Sequence, residues 1–131
     1  MLPPYFVAVP RPRWVDTQKS AEELLSYLST LGSMPVAIDT ETTGLNRQKD
    51  TVVVWSLSDG RRRYVILAEL LPMFVKFFQE YPRLIFHNAN FDTDMLNNSG
   101  VDLQVGEKLG RRYDTIVMHH WLNQNLPVTR K

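Results

Sequence analysis

Two acidic residues separated by one position, Asp39 and Glu41, directly follow the short apolar run from Val36 to Ile38. Such a run is typical of a buried central strand. Because side chains alternate along a strand, the two carboxylates point to the same side and lie close together. Two like charges at that separation repel each other unless a cation or a shared proton lies between them. The pair therefore indicates either a cation site or a polar strand end with solvated acids.

The kind of cation follows from the ligands that the chain offers. The candidate ligands are oxygen atoms, since the chain has no cysteine and no histidine close to Asp39 in sequence. Oxygen ligands suit Mg²⁺ or Mn²⁺ rather than Zn²⁺. The lack of cysteine also excludes a disulfide scaffold and a thiol nucleophile.

A second polar segment follows another apolar run, Leu84 to Phe86, and opens a predicted helix. Asn90 is placed to cap this helix and Asp92 to act as a first-turn acid, which would give both residues a structural role. Helical phase separates the acids of the segment. Asp92 falls at the edge of the buried side, whereas Asp94, about 200° around the helix, faces solvent. Asp92 is therefore the better candidate for a third metal ligand.

The elements that position these residues follow from periodicity and from turn residues. The patterns predict an edge strand or extended arm over 5–9, strands over 36–38, 51–58, 62–67 and 84–86, and helices over 18–31, 70–81, 91–98 and 115–122. Asp59-Gly60 predicts a hairpin, and Asp16 or Thr17 and later Asp114 are predicted helix caps. Gly44 is expected to adopt a backbone conformation that other residues resist. The order predicts an α/β domain with a mixed sheet, in which an antiparallel meander precedes a crossover helix and a parallel strand.

Length and composition limit the class of protein. The 131 residues support one domain over 1–131, and 15 Lys and Arg nearly balance 14 Asp and Glu. Basic residues nevertheless cluster at Arg61 to Arg63 and at Arg111 and Arg112. These clusters indicate either solvated surface or a few salt-sensitive contacts with phosphates. No apolar run is long enough for a membrane span, and the N-terminus does not resemble a signal peptide. We expect a soluble, intracellular protein with no membrane partner.

The segments from Asp39 to Leu45 and from His87 to Leu96 together resemble the first two sequence motifs of the DEDD superfamily of 3′-5′ exonucleases. They look most like the proofreading exonuclease domain of family-A (DNA polymerase I-like) DNA polymerases. Asp114-Thr115 is also similar to the Asp-Thr stretch that follows the second motif there. The resemblance spans residues 34–122. It implies a ribonuclease H-like fold with a central mixed sheet flanked by helices.

The resemblance also implies a mechanism and a set of site residues. Such enzymes hydrolyse phosphodiesters with two Mg²⁺ or Mn²⁺ ions about 4 Å apart. Carried over residue by residue, Asp39 would bind both metals, Glu41 the metal on the nucleophile side, and Asp92 the second metal. These three residues are the predicted catalytic and metal-binding residues.

Three further residues match family positions that contact the substrate. Thr42 and Leu45 would orient and wedge the 3′-terminal nucleotide, and Asn88 would contact the sugar-phosphate of the scissile end. A structural alternative stays open for two of them. Thr42 is also suited to satisfy backbone groups in a turn, and Leu45 to pack in the core.

The chain departs from the family pattern at its C-terminal end. The family needs a fourth carboxylate on a late helix, preceded by a Tyr or His that positions the attacking water, yet no Asp or Glu follows Asp114. His119 and His120 are not followed by an acid, and we expect one of them in the core and one at the surface. We therefore expect the chain to end before the third motif and to lack the last helices of the fold.

Three functions are consistent with these residues. The first is a proofreading-type exonuclease domain that acts on single-stranded DNA 3′ ends, as part of a DNA polymerase or phage replication protein, with the polymerase portion in the same or a companion chain. The second is an RNA-processing exonuclease similar to ribonuclease D. The third is a truncated, inactive module that binds nucleic acid or serves a structural role. A cytoplasmic or nucleoid location is expected, in the host cytoplasm if the gene is from a phage.

Overall fold

The computed structural model describes residues 11–103 and 112–122, which form a mixed sheet with helices. Within these residues the strands are β1 (Arg13–Val15), β2 (Val36–Thr42), β3 (Val52–Ser58), β4 (Arg63–Leu67), β5 (Leu84–Phe86) and β6 (Arg112–Asp114). The α-helices are α1 (Gln18–Leu28), α2 (Val75–Glu80), α3 (Ala89–Asn98) and α4 (Thr115–Leu122), and a 3₁₀ helix covers Ala68–Phe74. None of these helices has the length and apolar character needed to cross a membrane. The strand predicted over 5–9 lies outside the described residues.

The strands form one six-stranded sheet in the order β1-β4-β3-β2-β5-β6. Strands β2, β3 and β4 are antiparallel to their neighbours in this meander. Strands β5 and β6 extend the sheet in parallel beyond β2, and β1 runs parallel to β4 at the other edge. The predicted α/β fold with a mixed sheet is therefore confirmed. Strands β1 and β6 were not predicted, because each includes charged residues and lacks the uninterrupted apolar run that identifies the equally short β5.

The hydrophobic core lies on one face of the sheet. On β2 the buried residues are Val36, Ile38 and Thr40, which alternate with more exposed positions. Trp55 of β3 lies opposite Thr40 in register and contacts Phe74 with ring centroids 5.0 Å apart. The 3₁₀ helix that carries Phe74 thus packs on the same face as the buried residues of β2.

Helices α1 and α3 cover this same face. Tyr27 of α1 lies 6.2 Å from the ring of Tyr64 on β4, and Tyr64 pairs with buried Leu57 of β3. Asp92 of α3 forms a hydrogen bond with Thr40 of β2. The residues that alternate with the buried ones along β2, which include Asp39 and Glu41, point to the opposite face of the meander. We call this face the open face.

Local deviations from the predicted helices have local causes. The predicted helix over 70–81 is a 3₁₀ helix followed by the short α2, because Pro72 provides no backbone donor for an α-helical hydrogen bond. Helix α1 ends at Leu28, three residues before the predicted end. Of the two predicted caps, Asp16 and Thr17, Thr17 is the one that forms a reciprocal capping box with Ser20. At the predicted hairpin, Asp59 accepts hydrogen bonds from the backbone of Arg61 and Arg62, both at 2.8 Å.

Candidate functional site

The acidic pair of β2 lies on the open face. Asp39 pairs in register with Ser56 of β3, and Glu41 pairs with Val54. Thr40, between the two acids, is buried on the helix-covered face, so the acids project from the other side. Asp39 is half-buried and Glu41 is exposed. The alternation predicted from sequence therefore places both carboxylates on one face, within reach of solvent.

The third predicted ligand approaches β2 from the other side. Asp92 lies in the first turn of α3, is 0% exposed, and accepts a hydrogen bond from Thr40 Oγ1 at 2.5 Å. Helical phase predicted Asp92 at the edge of the buried side, and the structure buries it fully. Within residues 11–103 and 112–122, no three His, Asp or Glu side chains converge closely enough to hold one metal ion.

Burial gives Asp92 an unusual protonation equilibrium. Loss of hydration raises its pKa to about 7, against the lowering effect of the Thr40 hydrogen bond. The negative charges of Asp114 and Glu41 raise the pKa further. Carboxyl groups with a strongly shifted pKa are typical of functional sites. A cation bound near Asp92 would favour its ionised form and so offset the cost of burying the charge.

Asp114 holds the N-termini of two helices. Its carboxylate accepts hydrogen bonds from the backbone N–H groups of Asn88 at 3.0 Å, Ala89 at 2.8 Å and Ile116 at 3.0 Å. Burial by itself raises the pKa of Asp114, but these backbone donors together lower it below its ordinary value. Its predicted capping of α4 is confirmed, whereas its role at α3 was not predicted. Asn90, the predicted cap of α3, instead lies exposed within the helix.

Replacing Asp114 by alanine is expected to lower the free energy of unfolding by about 1–3 kcal/mol, because backbone donors at two helix N-termini lose their acceptor. Since the pKa of Asp114 is lowered by folding, its contribution is present above the unfolded value near 3.8 and is lost as the pH falls through the folded value. Urea denaturation at pH 7 and pH 3 measures this difference. Glu23→Ala, at an exposed position of α1, is the matched control; equal losses in both variants would contradict a capping role.

The predicted substrate residues lie at the ends of β2 and β5. Thr42 Oγ1 donates a hydrogen bond to the Gly44 carbonyl at 2.7 Å, so Thr42 satisfies a turn as the structural alternative expected. Leu45 is 75% exposed, so the core alternative for this residue is wrong. Asn88 precedes α3 in the left-handed region, with φ of 73°. The roles of these residues toward a substrate stay predictions.

The segment that presents Leu45 is tied to α3. Asn98 donates hydrogen bonds to the carbonyl oxygens of Arg47 at 3.1 Å and Asp50 at 2.8 Å.

Gly44 was expected to need an unusual backbone conformation, but its φ is not positive. A Cβ at this position would instead lie 2.5 Å from Asp50 Oδ2. A close approach to a side chain therefore explains this glycine.

The two histidines of α4 are both exposed, so the expectation that one of them lies in the core is wrong. The buried residue of this helix is Ile116, whereas Trp121 is 71% exposed and Leu122 is 82% exposed. The apolar residues of α4 therefore did not identify a buried face.

The comparisons with known proteins agree with this geometry. A family model of the 3′-5′ exonuclease, of the family-A DNA polymerase type, matches residues 12–126. The Aedes aegypti Nibbler EXO domain superimposes with a TM-score of 0.68 at 12% identity, over 95% of this chain and 68% of that one. Escherichia coli RNase D, described as an exoribonuclease involved in structured RNA processing, has a TM-score of 0.68 at 16% identity, over 93% of this chain and 31% of that one.

A third similar structure is more alike in sequence. Brucella melitensis NrnC with bound Mg²⁺ has a TM-score of 0.59 at 27% identity, over 85% of this chain and 51% of NrnC. The same protein bound to pGG has a TM-score of 0.58 at 26% identity, over 85% and 50% of the two chains. The chain thus spans about a third of RNase D and half of NrnC.

No curated protein matches the sequence. The structural neighbours nevertheless share the ribonuclease H-like fold of DEDD exonucleases, and the family match covers every residue from β1 to α4. The chain therefore belongs to the 3′-5′ exonuclease family.

Proposed function

We propose that this domain acts on single-stranded RNA 3′ ends as a metal-dependent 3′-5′ exonuclease. The observation that carries the proposal is the position of Asp39 and Glu41 on the open face of β2, within a chain that matches the exonuclease family over residues 12–126. Asp92, on the neighbouring α3, supplies a third carboxylate close to the same strand through Thr40.

The choice of RNA rests on the similar structures. The sequence resemblance favoured DNA, with an RNase D-like exonuclease as the alternative, and the similar structures support the alternative. RNase D is an exoribonuclease, and NrnC binds pGG. DNA remains the second candidate substrate, because the matching family model takes its name from DNA polymerases. A companion polymerase and a cytoplasmic or nucleoid location stay predictions.

The donor chemistry of the site fits the metal that the family implies. Asp39 and Glu41 offer hard oxygen ligands on one face, which suits Mg²⁺ or Mn²⁺. Asp92 would join them only after its carboxylate turned away from Thr40. Bound divalent ions would supply an activated water and charge stabilisation at the leaving oxygen. The chain's own residues would hold the ions and, at Thr42, Leu45 and Asn88, orient the terminal nucleotide.

Matched RNA and DNA oligonucleotides test the proposed substrate. In a chain extended by a segment with a fourth carboxylate, we expect nucleotides to be released from the 3′ end of the RNA faster than from the DNA, with Mg²⁺ or Mn²⁺ present, and the release to disappear in Asp39→Ala. A 3′-phosphorylated RNA is the control for polarity. Faster digestion of the DNA would support the proofreading candidate instead. Cleavage that persists in Asp39→Ala would contradict the proposed site.

Metal binding is expected to be weak, with a dissociation constant of about a millimolar, because hard ions keep several waters when few carboxylates replace them. Titration calorimetry with Mn²⁺ should show binding to the wild-type chain and a loss of most of the heat in Asp39→Ala. Glu23→Ala, an exposed acid far from β2 in sequence, is the charge-matched control. Equal heats for wild type and Asp39→Ala would exclude Asp39 as a ligand.

A further inference from the structure

The open face carries an exposed tryptophan in register with the acidic pair. Trp14 of β1 is 63% exposed and lies opposite Val65 of β4. Val65 lies opposite Ser56 of β3, and Ser56 lies opposite Asp39 of β2. Residues opposite each other across a sheet point to the same face. Trp14 and Asp39 therefore stand on one face, three strand spacings or about 14 Å apart.

A basic side chain and a cavity that reaches Asp39 lie on this face. Arg63 is exposed on β4, two positions before Val65, and so points to the same face as Trp14. A cavity of about 480 Å³ extends from Arg63 across Ser56 and Ser58 to Asp39. Val65 also lines the cavity, as do His87 and Thr115, whereas Trp14 lies outside it on the neighbouring strand β1.

The consecutive arginines of the hairpin point in different directions. The Arg62 guanidinium lies 4.1 Å above the ring of Tyr27 and donates a hydrogen bond to the Tyr64 hydroxyl at 3.4 Å. These contacts hold Arg62 on the helix-covered side of the sheet. Arg63, the next residue, projects from the open face. The basic cluster seen in the sequence thus contributes at least one cation to the face that carries Asp39.

We propose that Trp14 and Arg63 form a binding subsite for the nucleotides upstream of a 3′ end that lies at Asp39. A base stacks on the Trp14 indole, and the Arg63 guanidinium binds a phosphate of the same strand. Aromatic stacking combined with a basic groove is a sequence-tolerant way to bind single strands. The direction of the strand rests on the proposed function, whereas the binding itself does not.

Oligonucleotide length separates this subsite from the candidate catalytic residues. A dinucleotide with its 3′ end at Asp39 does not reach Trp14, but a hexanucleotide does. We expect Trp14→Ala to weaken hexanucleotide RNA binding about tenfold and to leave dinucleotide binding unchanged, and Trp14→Phe to restore most of the affinity. Fluorescence anisotropy of 5′-labelled RNA, measured in EDTA so that no cleavage occurs, gives both affinities.

The contribution of the Arg63 charge has a matched control on the neighbouring strand β1. Arg63→Ala is expected to weaken hexanucleotide binding and to reduce the salt dependence by about one phosphate contact. Arg13→Ala removes the same charge from an exposed residue of β1 that points to the opposite face, and it should have little effect. Equal effects of the two arginine variants would overturn the assignment of the subsite to the open face.

Other outcomes distinguish the subsite from the proposed function. If Trp14→Ala binds the hexanucleotide with the same affinity as the wild type, the subsite is overturned. A wild-type chain that does not bind the hexanucleotide at all overturns it as well. Dimerisation that is lost in Trp14→Ala, detected by sedimentation velocity, would overturn it in favour of a second copy of the chain on this face. Trp14-dependent binding without Asp39-dependent hydrolysis, both measured in a chain extended by a segment with a fourth carboxylate, would support the subsite and contradict the nuclease activity.

Discussion

We expect the 131-residue chain to release nucleotides from RNA 3′ ends at least about a thousandfold more slowly than the same chain extended by a segment with a fourth carboxylate. The reason is that no Asp or Glu follows Asp114, so Asp39, Glu41 and Asp92 are the carboxylates that match the family. Loss of one metal ligand removes several kcal/mol of transition-state stabilisation, and about 1.4 kcal/mol corresponds to a factor of ten in rate. Release of labelled mononucleotides from 3′-labelled RNA with Mn²⁺ measures both rates.

In the extended chain, Asp39→Ala and Asp92→Ala should each abolish the recovered activity. Rapid turnover by the 131-residue chain that is lost in Asp92→Ala would show that another of its residues completes the site. Asp114 is the nearest acid in sequence to the missing position, but its carboxylate already accepts hydrogen bonds from Asn88, Ala89 and Ile116. Its use as a metal ligand would break those helix caps, so we do not expect it to replace the fourth acid.

In the absence of metal, Asp92→Asn is expected to raise the free energy of unfolding at pH 8.5 by about 2–4 kcal/mol and to change it little at pH 4. Folding raises the pKa of Asp92 from 3.8 to about 7, because burial disfavours the charged form. A raised pKa means that the stability of the wild type is fully present below pH 4 and falls as the pH rises through about 7. Asparagine has a similar shape and cannot ionise, so the variant escapes that loss.

Urea denaturation in EDTA across this pH range measures the effect. Asp94→Asn is the matched control, because Asp94 is two residues further along α3, is 37% exposed and is ion-paired with Arg47. It should show no comparable rise at high pH. If Asp92→Asn destabilised the chain at every pH, the hydrogen bond with Thr40 would outweigh the cost of the buried charge.

The parts of the fold that sequence predicted are those with dense local signals. The apolar runs of β2, β3 and β5, the Asp59-Gly60 hairpin and the caps at Thr17 and Asp114 all depend on neighbouring residues, and the structure has each of them. The short edge strands β1 and β6 depend on pairing with distant strands, which three residues do not reveal. The 3₁₀ helix before α2 follows from Pro72, whose effect on the helix type was not foreseen.

The candidate site also has features that local sequence predicted and features that depend on tertiary packing. Alternation along β2 is enough to place Asp39 and Glu41 on one face. The hydrogen bond of Asp92 with Thr40 arises from the packing of α3 on β2, and helical phase gave only the side of the helix. The exposure of Leu45 was undetermined for the same reason, since hydrophobicity alone does not tell a core leucine from one at a loop surface.

The shared carboxylate of Asp114 has a consequence for local motion. The Asp114 carboxylate accepts hydrogen bonds from the Asn88 and Ala89 amides at the start of α3. Unfolding of the first turn of α4 displaces this carboxylate and leaves those amides without their acceptor. The two helix starts should therefore exchange their amide hydrogens as one cooperative unit, although they lie far apart in the chain. Asp92 is within one helical turn of these amides. Fraying of α4 thus reaches the first turn of α3 through the Asp114 carboxylate, and whatever steadies α4 also steadies the position of Asp92.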